Sequence, residues 1–230
     1  RQTERFYDLT GSLTYIGVTL FAVLASDSGD ARSWVLTALV IVWASRLGSF
    51  LFRRIHREGK DARFDGIKPS ASRFFTAWTL QGLWVFLTLC AALAAITTRE
   101  PAALGLRDVV GLLIWASGFS IEVLADRQKS AHREAHPGRF IDSGLWAWSR
   151  HPNYFGEIVL WVGVAVIASS TLRGWQYLTM ISPVFVVFLL TRVSGIPILE
   201  KRADESWGGQ PDYERYKSQT PVLLPRPPRR

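Results

Sequence analysis

Charge along this chain is set between long apolar runs instead of being mixed with them, and that segregation decides what the chain can fold into. Six stretches, residues 9–25, 34–52, 74–97, 109–124, 155–170 and 175–190, approach or reach the roughly 20 residues needed to cross about 30 Å of hydrocarbon. The mean hydropathy is only +0.12 because the charged fifth of the chain gathers in the connections. The sequence therefore predicts an all-α, multi-pass transmembrane helical bundle of about six spans, with residues 1–230 as a single integral membrane domain and 218–230 as a Pro/Arg-rich C-terminal tail. The first, fourth and fifth runs are short or carry polar residues, and the start at Arg1 leaves room for one more helix upstream.

The connections alternate in charge. Twenty-one Lys and Arg fall on one side, in the amino-terminal segment, the loops around 53–73 and 127–150, and the tail, against four on the other, Arg32, Arg99, Arg107 and Arg173. By the positive-inside rule both termini and both long loops lie in the cytoplasm. The cations flank spans and form no aromatic-interleaved basic stretch, so the net charge of +8 calls for no nucleic-acid partner. The single cysteine, Cys90, excludes an internal disulfide and a Cys-based cluster. The end, 224–230, is expected to fray.

Ionisable residues within or at the ends of spans are costly, and four groups stand out. Arg46 lies inside the second run and needs a carboxylate, a helix end or an anionic ligand; a structural ion pair would serve as well. Glu122, Asp126, Lys129 and Arg133 are spaced by four, three and four, so they share one face if the fourth helix continues beyond the membrane. Solvated i,i+4 salt bridges would give the same spacing, but Glu122 follows an apolar helix directly. The segment Ser149-Arg150-His151-Pro152-Asn153-Tyr154-Phe155-Gly156-Glu157 enters the fifth run. Pro152 suits a first helical turn, and free N–H groups there beside Arg150 and His151 make an anion site. The tail from Glu200 through Lys201 and Tyr213 to Pro225 reads either as an amphipathic surface helix or as a cap on a cytoplasmic nucleotide pocket. His132 and His136 have ligand spacing without a third His or Cys near them, so no metal is expected.

These segments carry a resemblance. Gly144-Leu145-Trp146-Ala147-Trp148-Ser149-Arg150-His151-Pro152-Asn153-Tyr154-Phe155-Gly156-Glu157 with the Trp207–Pro225 tail, Gly59-Lys60-Asp61-Ala62-Arg63-Phe64-Asp65-Gly66 and Arg5-Phe6-Tyr7-Asp8-Leu9-Thr10-Gly11 resemble the DUF1295 bacterial membrane proteins of the steroid 5-alpha-reductase-like superfamily. The resemblance implies a helical bundle in a bacterial inner membrane, NADPH held in the cytoplasmic half, and a cavity open to the bilayer for an enone or other unsaturated lipid. Carried over by motif, Asn153, Glu157, Asp126 and Arg133 contact the cofactor, with Glu122 where the reductases carry Asn. Arg46, Arg57 and Lys60 are similar to the reductases' span arginine and following cations, and Arg150, His151, Tyr154, Lys201 and Tyr213 complete the implied cofactor set.

The departures bear on chemistry. Where the reductases have an acidic Tyr three residues before the span arginine, this chain has Trp43, whose indole cannot protonate a carbonyl and which is left as a substrate contact. Asp8, with Tyr7 or Tyr15 near it, is the candidate proton source, and the implied reaction is hydride transfer from NADPH to an activated C=C. The Arg-His-Pro-x-Tyr-x-Gly core and tail are also similar to isoprenylcysteine and phospholipid methyltransferases, which bind S-adenosylmethionine. A non-catalytic lipid-binding membrane protein is the third reading.

Overall fold

The computed structural model describes residues 6–26, 29–58, 69–100 and 102–228, apart from the side chains of residues 57 and 58. Among them the chain is helical throughout, with no strand. Eight α-helices follow in order: α1 Tyr7–Ala25, α2 Ala31–Glu58, α3 Ala71–Ile96, α4 Leu106–Ala135, α5 Pro152–Ala168, α6 Ile181–Phe188, α7 Ile196–Trp207 and α8 Pro211–Gln219. Among the described residues, five helical stretches are long and apolar enough to cross a membrane: Tyr7–Ala25, Ala31–His56, Ala71–Ile96, Leu106–Ala135 and Gly174–Trp207. The 17-residue α5 is the shorter apolar helix. At 1.5 Å per residue it covers about 25 Å, just under the hydrocarbon thickness. The protein is thus of the multi-pass membrane type.

Start signals are local. Asp30 accepts from the Ser33 backbone N–H at 3.0 Å and so caps α2. Ser70 caps α3 by accepting from the Arg73 N–H. Proline opens α5 and α8, where its missing N–H costs nothing. The run 175–190, expected as one span, is built differently. A 3₁₀ segment, Gly174–Met180, leads into α6, and a π-turn, Leu189–Val193, closes it. Pro183 explains the lower boundary, because a proline inside a longer helix would remove a hydrogen bond and clash with the preceding turn.

The chain divides into two compact units. The first comprises residues 1–109 and 164–182. In it Tyr7 donates its hydroxyl to the Ala77 carbonyl at 3.0 Å, and Gln81 donates to the Tyr7 carbonyl at 2.9 Å, so α1 and α3 are tied at one end. At the N-terminus of α2, Arg32 is 1% exposed. Its Nε and Nη2 donate to the two carboxylate oxygens of Asp108 at 2.7 and 2.9 Å. Its Nη1 and Nη2 also reach the carbonyls of Ala102 and Ala103, both at 2.9 Å. Asp108 in turn accepts the Gly105 N–H at 2.8 Å at the start of α4. Planar, two-pronged pairing of this kind is what lets a buried guanidinium and carboxylate coexist.

The second unit comprises residues 110–163 and 183–230. Here α4 and α5 touch backbone to backbone. A Cβ on Gly118 would lie 2.4 Å from the Leu160 nitrogen, one on Gly156 2.6 Å from the Glu122 nitrogen, and one on Gly163 2.6 Å from the Trp115 nitrogen. Only glycine permits this approach. The expected fraying from residue 224 is corrected. Ser149 Oγ donates to the Leu223 carbonyl at 2.9 Å, the Arg150 N–H to the Pro221 carbonyl at 2.9 Å, and the Arg226 N–H to the Trp148 carbonyl at 2.9 Å. The tail is held through Arg226 because the turn before α5 offers it free backbone partners.

Candidate functional site

The polar residues of the second unit are gathered by that glycine contact. Because α4 runs unbroken to Ala135, Glu122, Asp126, Lys129 and Arg133 share a face as the spacing requires. Glu122 is 2% and Asp126 5% exposed, so the upper half of the stripe is not a row of solvated bridges. Asn153, in the first turn of α5, donates its amide to Asp126 at 3.3 Å. Its Oδ1 is buried without a hydrogen-bond partner among the described residues. An amide is the group to expect there: it can give a proton to a carboxylate while presenting an acceptor on its other side.

One step before α5, His151 and Arg150 meet the first residue of the tail group, to which the sequence assigns no role of its own. Glu200 of α7 takes His151 Nε2 at 2.7 Å and Arg150 Nη1 at 3.0 Å. Burial pushes the His151 pKa below its usual value, with the Glu200 hydrogen bond opposing and Lys129 and Arg150 adding to the depression. The Tyr154 ring stacks on His151 at 5.7 Å. The signal for Glu200 was present, as the first carboxylate after the last apolar run, but its partner is 49 residues away.

The tail closes with a second polar pair. The Tyr213 hydroxyl donates to Asp204 at 3.1 Å, and the Tyr216 hydroxyl to the Trp146 carbonyl at 2.9 Å. Burial raises both phenol pKa values, so neither ionises at neutral pH. Lys129 sits 4.6 Å from the centre of the Trp146 ring, whose indole N–H donates to the Ala125 carbonyl. Arg133 is exposed. Lys201 is also exposed and lies 3.9 Å from Glu205, one turn along α7. Glu157 is half-buried, one turn beyond Asn153.

A cavity of about 410 Å³ opens against the last turns of α4, lined by Gln128, Ala131, His132, Ala135, Ile141, Ser143 and Gly144. Gly144 has a φ of +60°, and a Cβ there would meet the Gln128 amide at 2.7 Å. Gln128 Oε1 accepts the Leu145 N–H at 2.9 Å, which fixes the amide's orientation.

The remaining expected residues that the structure describes belong to the first unit. Arg54 Nη2 lies 3.9 Å from the Asp8 carboxylate. Tyr15 packs edge-on against Trp43 at 5.0 Å, and the Arg46 guanidinium lies over the Phe50 ring at 5.2 Å. Tyr7 gives its hydroxyl proton to a backbone carbonyl. The side chain of Arg57 and all of Lys60 lie outside the described residues. Among the described residues no group of three or more His, Cys, Asp or Glu is arranged to hold a metal.

Comparison with known proteins agrees with this picture at the level of family. The family described as a protein of unknown function, DUF1295, matches residues 1–220. The uncharacterized protein C594.04c of Schizosaccharomyces pombe (strain 972 / ATCC 24843) is 24% identical over 239 residues, covering 90% of this chain and 67% of its own length. That relative is from a yeast, so the likeness is not confined to bacteria. No solved structure matches. With the glycine-packed helices and the Arg-His-Pro-Asn-Tyr entrance to α5 inside the matched span, this chain belongs to the DUF1295 family.

Proposed function

We propose that the protein is a membrane-embedded, NADPH-dependent reductase acting on the activated C=C of an unsaturated, enone-type or steroid-like lipid drawn from the bilayer. The observation that carries this reading is the Asp126–Asn153 pair: a buried carboxylate holds an amide whose oxygen has no hydrogen-bond partner among the described residues. That donor set fits the cofactor. The Asn153 oxygen would accept from the nicotinamide carboxamide, and the carboxylates of Asp126 and Glu122 would accept from ribose hydroxyls. The start of α5 and Arg133 would meet phosphate charge. Arg150 shares its charge with Glu200, so it serves as a positioning residue. Tyr154 stacked on His151 forms a plane near the same helix start.

When bound, NADPH supplies the hydride. The protein's part is to orient the ring, exclude water and provide the matching proton, for which Asp8, Tyr7 and Tyr15 are the candidates. The twenty-one cations on one side of the apolar runs support cytoplasmic termini and a cytoplasmic cofactor site in an inner or plasma membrane.

The test is thermal stability of the detergent-purified protein with NADPH or with S-adenosylmethionine. A ligand at 100 times its Kd stabilises by about 2.7 kcal/mol. A shift with NADPH that is lost in Asn153→Ala is expected. A shift with S-adenosylmethionine alone would make the protein a methyltransferase, and silence from both would favour a non-catalytic lipid-binding role. NADPH affinity unchanged in both Asn153→Ala and Arg133→Ala would overturn the reading.

A further inference from the structure

We infer that the first half of α3 is a gate and that Tyr7 and Gln81 form its latch, opening a way from the bilayer to the Asp8 end of α1. The inference rests on the reductase reading above for what passes through, an unsaturated lipid, and deepens it by naming the element that moves. Asp8 is a candidate proton source, yet its side chain is 9% exposed and lies 3.9 Å from Arg54 of α2. A lipid meets that carboxylate only where a neighbouring helix gives way.

Anchorage singles out α3. Helix α1 buries residues near both of its ends, from Tyr7 to Val23, and α2 does the same, from Arg32 to Ile55. In α3 no residue from 71 to 84 is buried, whereas eight from Val85 to Ile96 are. Hydrogen bonds also fix that second half: Ser33 of α2 donates to the Ile96 carbonyl at 3.4 Å, and Ser182 of α6 donates to the Thr88 carbonyl. The first half is held to α1 by a reciprocal pair. The Tyr7 hydroxyl donates to the Ala77 carbonyl and, one turn further along α3, the Gln81 amide donates to the Tyr7 carbonyl. A Cβ on Gly11 would stand 2.7 Å from Gln81 Nε2, so glycine at this position leaves the amide its seat. The latch gives a polar side chain within an apolar run a partner that lipid does not supply. Interhelical bonds of this kind are individually weak in a membrane, and a segment without buried side chains opens before a packed one does.

The experiment is a pulsed EPR distance measurement in lipid nanodiscs on the Cys90→Ser background. One nitroxide pair, at Leu13→Cys and Phe75→Cys, spans the latch end, and a reference pair, at Phe21→Cys and Thr97→Cys, spans the far end; all four positions are exposed. Gln81→Leu removes the donor, and Gly11→Ala displaces the amide from the opposite helix, so a failure of one variant to fold leaves the other. In each variant the latch-end distance is expected to lengthen while the far-end distance stays as in the native protein. A latch-end distance unchanged in the variants overturns the gate, and so does an equal shift at both ends, which marks general loosening. Protection by NADPH reads the other proposal and is expected to be the same in Gln81→Leu as in the native protein. Its absence from the native protein overturns the reductase reading, and the two distances decide the gate in either case.

Discussion

Arg32–Asp108 in the first unit and Asp126–Asn153 in the second both bury ionisable or polar groups, and they do so in opposite ways. Around Arg32 each hydrogen-bonding nitrogen meets a carboxylate or carbonyl oxygen. At Asp126 the carboxylate meets an amide whose own oxygen is left open. A closed set of partners fixes the chain and has nothing to offer a ligand. An open acceptor in a buried place carries a desolvation cost of about 1–3 kcal/mol, which a ligand can relieve. The difference separates a structural clasp from a candidate site more sharply than burial does, since both are buried.

The comparison is open to direct attack. Arg32→Ala leaves Asp108 buried without its cation and should cost about 3–5 kcal/mol, read as loss of folded protein or a large fall in Tm in detergent. Gly156→Leu places side-chain atoms where the α4 backbone stands, at a cost of about 1–3 kcal/mol, and separates Asn153 from Asp126, so NADPH protection should fall with stability.

Acid titration gives a third measure. Because burial holds the folded His151 below its ordinary pKa, the unfolded chain binds the proton more readily. The His151 contribution is therefore intact above about pH 6.5 and lost as pH falls below it, at up to about 1.4 kcal/mol per pH unit. A His151→Gln variant should show a flatter dependence in thermal scans between pH 7 and 5. Ser149→Ala, which removes the side-chain bond between the tail and the turn before α5, should cost about 1 kcal/mol and speed proteolysis after residue 219. Asn153→Ala should change stability least, by under about 0.5 kcal/mol, while weakening NADPH tenfold or more. If it destabilises the protein as much as Arg32→Ala does, the contrast between clasp and site is wrong.

What could be read in advance follows the range of the interactions. The spans were legible because lipid imposes a length and a composition on each segment independently. The α4 stripe and Pro152 were legible because helical spacing and first-turn proline are local rules. Glu200 was not assigned, since its partners His151 and Arg150 are about 50 residues distant and nothing in the spacing joins them. The tail was misjudged for the same reason: Pro and Arg content says nothing of the carbonyls that Ser149, Arg150 and Trp148 engage. Gly118 and Gly163 carry no signal in the sequence, and Gly156 stands out only as part of the entrance motif, because a close approach belongs to two helices and is invisible in either one. The long-range partners are also the ones that decide which of the expected site residues meet.

The glycine contact between α4 and α5 carries one more consequence. Side chains at a helix interface can repack when a bilayer thickens or thins, but main chain in contact with main chain has no rotamer to change. The two helices then respond to lipid as a single plate that tilts. The Asp126–Asn153 separation should stay constant in host membranes of different hydrophobic thickness, so such a protein can keep one binding geometry while its lipid surroundings vary.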